Sequence, residues 1–257
     1  MSTAPEPTRP EHSEPVPTGL RHLLRVDLRA RQGDPPAEWP FDIPAVAQLL
    51  AEGWVVPAGV TMLVGENGSG KSTILEALAG RYPRLPGDLV GPTVVGDESP
   101  LGSWITLQTA PMASRSGFFL RAEAMHDYLA DRDRKTGVTE RSWDGRPLLA
   151  RSHGESFLTV LSERFTDVGM YFLDEPESAL SFASCLGLVS LLDTMRAEGS
   201  QVIVATHSPL IAALPGATLI ELGEWGWRET RWEDLEMVQR WRGFLAEPEG
   251  FLRHLLD

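Results

Sequence analysis

Short apolar runs recur along the chain, and segments whose apolar residues have helical spacing separate them. The clearest runs lie at residues 60–64, 169–173 and 202–205. Runs of this kind are typical of strands that are buried on both faces of a sheet. Helices are expected at 72–79 and 179–196. Strands that alternate with helices predict an α/β fold, in which helices flank a mainly parallel sheet.

Other segments carry weaker signals of the same kinds. Further strands are predicted at 23–28 and 217–222, and further helices at 45–50, about 121–131 and 155–165. Two short helices are expected near the C-terminus, with Leu235, Val238, Trp241 and Leu245 on one face. Five prolines and four charged residues at 1–18 predict a disordered tail. We predict one domain over 19–257 that contains a variable, partly helical subdomain at about 81–165.

Composition excludes several kinds of protein. With one cysteine, Cys185, the chain forms no internal disulfide and no cysteine-built metal site. No apolar run approaches the roughly 18 to 20 residues of a membrane-spanning helix. The N-terminus lacks the basic start and the apolar core of a secretory signal. We therefore expect a cytoplasmic protein that does not insert into a membrane.

The net charge of −13 argues against a protein that binds nucleic acid by itself, because basic residues supply most of that affinity. The segment 141–151, with three arginines, is a modest basic candidate, so direct nucleic-acid binding stays open. Of the 23 basic residues, only Lys71 and Lys135 are lysines. A lysine in a chain that otherwise uses arginine suggests a site where a planar guanidinium would not serve.

The segment GENGSGKS at 65–72 matches the phosphate-loop pattern G-x-x-x-x-G-K-S/T, directly after a predicted strand and before a predicted helix. The glycines let successive backbone N–H groups point at phosphate oxygens, and the helix N-terminus adds a favourable dipole. Lys71 is expected to reach the β- and γ-phosphates, and the Ser72 hydroxyl to bind Mg²⁺. The predicted nucleotide-binding residues here are Gly65, Glu66, Asn67, Gly68, Ser69, Gly70, Lys71, Ser72 and Thr73.

Two further predicted strands end in polar residues that suit metal binding and catalysis. The strand at 169–173 is followed by Asp174 and Glu175, which predicts a carboxylate for hydrated Mg²⁺ and a second one that polarises the attacking water. The strand at 202–205 leads to His207, whose ring is expected to contact the γ-phosphate. Carboxyl ends of neighbouring parallel strands meet at one edge of a sheet, where ligands collect. Kinases that phosphorylate small molecules need no water-activating glutamate, so Glu175 indicates hydrolysis.

The order of GENGSGKST at 65–73, YFLDEPESAL at 171–180 and ATHSP at 205–209 resembles the ATP-binding-cassette ATPases. That family is taken here in the broad sense that includes DNA-repair and chromosome-maintenance ATPases. SHGES at 152–156 lies where the family has its signature, although the transporter form is closer to L-S-G-G-Q. SHGES, DEPE and ATHSP together are similar to a group of small stand-alone bacterial ATPases.

The resemblance implies a P-loop NTPase fold with a small helical signature subdomain, ATP and Mg²⁺ as ligands, and a homodimer that sandwiches two ATP molecules. The signature residues Ser152, Gly154 and Glu155 of one subunit would bind the γ-phosphate held by the other subunit. An ordinary helix cap is the alternative interpretation of SHGES. The segment 177–180 matches the family's dimer-contact loop.

Two further roles that the resemblance implies stay open between candidates. The glutamine that senses Mg²⁺ is assigned to Gln108, at the end of a plausible strand at 104–107, with the segment 117–123 as a competitor. Adenine would stack on Trp39 or Phe41, unless these aromatic residues belong to the core.

Three functions fit this sequence. The first is an ATP-dependent, dimerising ATPase of the DNA-repair or anti-phage type that acts with an unidentified protein partner. The second is the motor subunit of a membrane transporter, and the third is a nucleotide switch with little hydrolysis. The departure of SHGES from the transporter signature favours the first over the second, and Glu175 argues against the third.

Overall fold

The computed structural model describes residues 21–30, 34–83, 89–90, 99–121, 158, 161–162 and 167–256. The predicted tail at 1–18 and the signature residues Ser152, Gly154 and Glu155 lie outside the described residues. The same holds for most of the helices predicted at 121–131 and 155–165.

The described chain contains ten strands and five α-helices. In chain order the strands are β1 Leu23–Leu28, β2 Trp54–Val55, β3 Val60–Gly65, β4 Leu89–Val90, β5 Ile105–Thr109, β6 Phe119–Arg121, β7 Met170–Asp174, β8 Gln201–Thr206, β9 Thr218–Gly223 and β10 Gly226–Thr230. The helices are α1 Pro44–Glu52, α2 Lys71–Arg81, α3 Phe182–Ala197, α4 Glu236–Ala246 and α5 Pro248–Leu256.

The larger sheet has seven strands in the order β10-β9-β3-β8-β7-β6-β4. Every neighbouring pair from β9 to β4 is parallel, and β10 is antiparallel to β9. The prediction of a mainly parallel sheet is therefore confirmed. Because parallel strands present their carboxyl ends at one edge, the segments that follow β3, β6, β7 and β8 lie close together.

Helices cover both faces of this sheet. On one face, Leu63 of β3 and Phe172 of β7 pack in the same cluster as Ile74 of α2. On the other face, Leu173 of β7 packs in the same cluster as Leu188 of α3. Successive strand side chains point to opposite faces, so Phe172 and Leu173 enter different layers. This explains why the runs that the sequence analysis identified are continuously apolar rather than alternating.

A smaller antiparallel sheet joins β2, β1 and β5 in that order. Buried Gln201, the first residue of β8, attaches this sheet to the larger one. Its Oε1 accepts the backbone N–H groups of His22 and Leu23 at 2.9 and 2.8 Å. Its Nε2 donates to the carbonyls of Leu23 and Pro57 at 3.0 and 2.7 Å. All four hydrogen-bonding positions of the amide are used, so the two sheets are joined without a buried unpaired group at this residue.

The helix predicted at 179–196 begins later than expected. A tight helical turn at Pro176–Ala179 comes first, and α3 starts at Phe182. Ser181 caps α3, because its Oγ accepts the backbone N–H of Ser184 at 3.2 Å.

The region near the C-terminus adds two findings to the prediction. The strand β10 was not predicted, because its sequence GWRET is mostly polar. Of the four residues expected on one face, Leu235 and Val238 are buried, whereas Trp241 and Leu245 are largely exposed. In the part of the chain that the structure describes, no helix is both long and apolar enough to span a membrane.

Candidate nucleotide site

The loop between β3 and α2 has the backbone shape that its glycines allow. Gly68 and Gly70 have φ values of 81° and 99°, which lie in the left-handed region that side chains disfavour. A Cβ atom at Gly70 would also lie 2.9 Å from Cγ2 of Ile43. The backbone N–H groups at the start of α2 have no partners within the helix. The loop and helix therefore have the backbone geometry on which the predicted phosphate binding depends.

Lys71 lies at the first position of α2 and is almost fully buried. Its Nζ donates to the carbonyl oxygens of Gly65 and Glu66, each at 2.9 Å. Burial lowers the pKa of Lys71 to about 8, although nearby carboxylates, chiefly Glu175, oppose this shift. A bound phosphate would give the buried ammonium a stronger partner than two neutral carbonyls.

The end of β7 brings a carboxylate to the start of α2. The Ser72 hydroxyl donates to Oδ1 of Asp174 at 2.8 Å, and Nε of Arg121 donates to Oδ2 at 3.3 Å. Asp174 is 4% exposed, and burial raises the pKa of its carboxyl while Ser72 and Arg121 lower it. A hydroxyl and a carboxylate in contact are the hard oxygen ligands that Mg²⁺ prefers. The residues present therefore fit this metal ion.

Glu175 and His207 form a second pair at the same edge. Oε1 of Glu175 lies 3.0 Å from Nε2 of His207, and both side chains are partly exposed. Glu175 has φ 46° and ψ 51°, and among the described residues it is the non-glycine residue with a left-handed backbone. Such a conformation costs about 1–3 kcal/mol and is concentrated at functional sites. The strain is consistent with a carboxylate that must point into the cleft.

Glu177 holds the backbone at His207 in place. Its Oε1 accepts the Thr206 hydroxyl at 2.7 Å and the backbone N–H of His207 at 2.5 Å. The Glu177 carboxylate is thus bonded inward to the end of β8, and the prediction that the segment 177–180 contacts a second copy stays a prediction. DEPE in the sequence does not reveal this role, because the partners are 29 and 30 residues away.

A cleft of about 450 Å³ connects the loop with the region around α1. Asn67, Gly68, Lys71, Ser72, Thr73 and Glu175 line one side, and Trp39, Asp42, Ile43 and Pro44 line the other. Trp39 is 64% exposed, whereas Phe41 is 9% exposed and packs edge-on against Trp104 at 5.5 Å. Of the two aromatic candidates, Trp39 is therefore the one that a base can reach.

Some predicted residues lie elsewhere than expected. Gln108 lies on β5 of the smaller sheet, where its Nε2 donates to Asp27 at 2.8 Å. The structure does not bring it to the contact between Ser72 and Asp174. The Glu66 side chain pairs with Arg240 of α4, so within the loop it is the carbonyl of Glu66 that contacts Lys71.

Arg121, rather than Gln108, is the residue that lies beside Asp174. It ends β6 directly opposite Asp174 in the register of β6 and β7. The sequence predicts a role for the segment 117–123 as a whole but not for its arginine. The feature that could have indicated Arg121 is its position at the end of an apolar run.

Comparison with known proteins gives the family of this chain. A family model described as ABC transporter matches residues 54–110. The cytochrome c biogenesis ATP-binding export protein CcmA of Rhodospirillum rubrum is 30% identical over 180 residues, which are 65% of this chain and 76% of CcmA. The chain belongs to the ABC-type ATPases.

Two other ABC ATP-binding proteins match with slightly lower sequence identity. The hemin import ATP-binding protein HmuV of Rhodococcus jostii is 28% identical over 179 residues, which are 60% of this chain and 59% of that protein. The ribose import ATP-binding protein RbsA of Geobacillus kaustophilus is 28% identical over 178 residues, which are 60% of this chain and 35% of RbsA. The chain thus spans about a third to three fifths of the length of such curated relatives.

Solved structures show the same fold. A structure described as an inward-facing metal-chelate type ABC transporter aligns with a TM-score of 0.50 and 17% identity, over 88% of this chain and 90% of that one. The P-loop NTPase fold predicted from the sequence is confirmed.

Proposed function

We propose that this chain binds ATP with Mg²⁺ in the cleft between the phosphate loop and Trp39, and hydrolyses it to ADP and phosphate. The observation that carries the proposal is the convergence of Lys71, Asp174 and Glu175 at one edge of the sheet. Phosphoryl transfer to water requires a cation that binds phosphate, an oxygen ligand for the metal ion and a base that accepts a proton from water. Lys71, Asp174 and Glu175 supply these in turn.

The binding step follows from the contacts of the loop. Lys71 exchanges the carbonyls of Gly65 and Glu66 for phosphate oxygens. Ser72 and Asp174 would hold Mg²⁺, which neutralises phosphate charge when it is bound. Trp39 stacks on the base, since its exposed ring faces the same cleft.

The hydrolytic step uses the second pair. Glu175 accepts a proton from a water molecule as the water oxygen bonds to the γ-phosphorus and the bond to the bridging oxygen breaks, which leaves ADP. His207 holds the Glu175 carboxylate in place through its Nε2 and faces the site of the γ-phosphate. Glu177 fixes the backbone at His207.

The proposal includes a homodimer that closes on two ATP molecules. The cleft is open toward solvent at Trp39 and Glu175, and the resemblance assigns Ser152, Gly154 and Glu155 of a second copy to the γ-phosphate. A site completed only on pairing predicts slow hydrolysis by the free chain.

Light scattering of the Glu175→Gln variant tests this pairing. With ATP and Mg²⁺ the mass should double, and with ADP it should not. Glu198→Gln, which changes an exposed residue at the end of α3, is the matched control and should behave as the wild type does. A Glu175→Gln protein that binds ATP and stays monomeric at every concentration would overturn the dimer.

The process coupled to ATP is part of the proposal as well. The relatives include import and export ATP-binding proteins, which favours the motor subunit of a membrane transporter over a DNA-repair or anti-phage role. Cell fractionation separates the two. Native protein that is found with membranes and is released only by detergent supports a transporter motor, whereas protein recovered in the cytoplasmic fraction with another partner supports a stand-alone ATPase.

A further inference from the structure

Arg121 occupies an unexpected place in the site. It ends β6, and its guanidinium reaches two carboxylates that belong to different elements. Nε donates to Asp174 of β7 at 3.3 Å, and Nη2 pairs with Glu76 of α2. A cavity of about 150 Å³ is lined by Arg121 together with Ser72, Asp174 and Glu175. The arginine therefore lies in the part of the site assigned to phosphate and metal.

The contact with Asp174 uses an oxygen that a metal ion needs. Oδ1 of Asp174 accepts the Ser72 hydroxyl and Oδ2 accepts Arg121, so both oxygens of the buried carboxylate are occupied. A guanidinium and a divalent cation on one carboxylate repel each other. A divalent cation therefore binds Asp174 at the expense of the arginine contact.

The second contact keeps the arginine in the site after that exchange. Glu76 lies on α2, the helix that begins at the phosphate loop. The guanidinium is a planar fork with five donors, so its Nη2 stays on Glu76 while the remaining N–H groups turn to another acceptor. The anion expected in the adjoining cleft is the terminal phosphate of the nucleotide.

We propose that Arg121 is a displaceable cation and a phosphate-binding residue. In the nucleotide-free protein it neutralises Asp174. When ATP and a divalent cation bind, it leaves Asp174 to the cation and binds the terminal phosphate, while Glu76 retains it in the cavity. This inference rests on the proposed ATP binding and adds a residue that distinguishes ATP from ADP.

Equilibrium binding of fluorescent ATP and ADP analogues tests the inference without measuring turnover. At saturating Mg²⁺, which takes Asp174 from the arginine, Arg121→Ala should weaken binding of the ATP analogue by about 10- to 100-fold, the worth of one charge-assisted hydrogen bond, and should leave binding of the ADP analogue nearly unchanged. With ADP present, the same variant should need less Mg²⁺ for half-maximal binding than the wild type does, because the competing cation is gone.

Further variants separate this role from a structural one. Arg121→Lys keeps the charge and should recover part of the ATP preference, whereas Arg121→Gln should not. Glu76→Gln should lower the preference for ATP less than Arg121→Ala does. Arg25→Gln breaks a comparable pair with Asp27 in the smaller sheet and serves as the matched control.

Two outcomes are distinguishable. If the wild type binds ATP and Arg121→Ala weakens ATP and ADP equally, with no change in the Mg²⁺ requirement, the inference about Arg121 is wrong and the proposed function stands. If the folded wild-type chain binds neither nucleotide, the proposed function itself fails.

Discussion

Glu177 offers the sharpest test of how the site is built. Replacing it with alanine removes the acceptor of the Thr206 hydroxyl and of the His207 backbone N–H, at 2.7 and 2.5 Å. Hydrogen bonds to a charged acceptor are each worth about 1.5–3 kcal/mol. The other oxygen, Oε2, is buried and has no hydrogen-bond partner among the described residues, so its removal relieves a desolvation cost of about 1–3 kcal/mol.

The net expectation is that Glu177→Ala lowers the free energy of unfolding by about 2–3 kcal/mol. Turnover should fall further than the loss of folded protein explains, because His207 loses the group that fixes its backbone. Glu177→Gln keeps an acceptor oxygen and should lose less than half as much stability. Urea denaturation and phosphate release under the same conditions provide both numbers.

Glu198→Ala is the control for the loss of a negative charge, and we expect it to change stability by less than about 0.5 kcal/mol. If Glu177→Ala were as stable and as active as Glu198→Ala, the inward role of Glu177 would be refuted.

Three further predictions concern the phosphate loop, the stacking of the nucleotide base and the pH dependence of stability. Gly70→Ala should reduce ATP affinity by at least about tenfold, because a side chain is strained at φ 99° and its Cβ contacts Ile43, whereas circular dichroism should stay nearly unchanged. Trp39→Ala should weaken ATP binding by about 5- to 100-fold through the lost stacking, whereas Phe41→Ala should lower the urea midpoint, because Phe41 is a core residue. Burial lowers the pKa of His22 from 6.5, so the unfolded chain takes up the proton first as the pH falls below 6.5. The urea midpoint should therefore fall between pH 7.5 and 5.5, and His22→Asn should flatten that slope; equal slopes in the two proteins would contradict the assignment.

The strands that carry the site could be predicted because burial on both faces makes them continuously apolar. Met170–Asp174 and Gln201–Thr206 differ from their predicted bounds by one residue at each end. Lys71 could be assigned from its rarity and its spacing, since the phosphate loop is a local structure. Local sequence was sufficient where the chemistry lies within a few consecutive residues.

The remaining features depend on which strands become neighbours. Gln108 ends an apolar run, as Arg121 does, but β5 joins the smaller sheet and β6 joins β7. The position of each residue at a strand end therefore did not reveal whether Gln108 or Arg121 would contact Asp174. The strand β10 was missed because Arg228 and Glu229 are both exposed, so the strand lacks an apolar pattern.

The most direct test of the account is phosphate release by the wild type, measured beside ATP binding by Glu175→Gln. The account predicts Mg²⁺-dependent release by the wild type, together with a variant that binds ATP at least as tightly and releases phosphate at least about a hundredfold more slowly. A Glu175→Gln protein that releases phosphate at the wild-type rate would contradict the assignment of this cleft as the hydrolytic site.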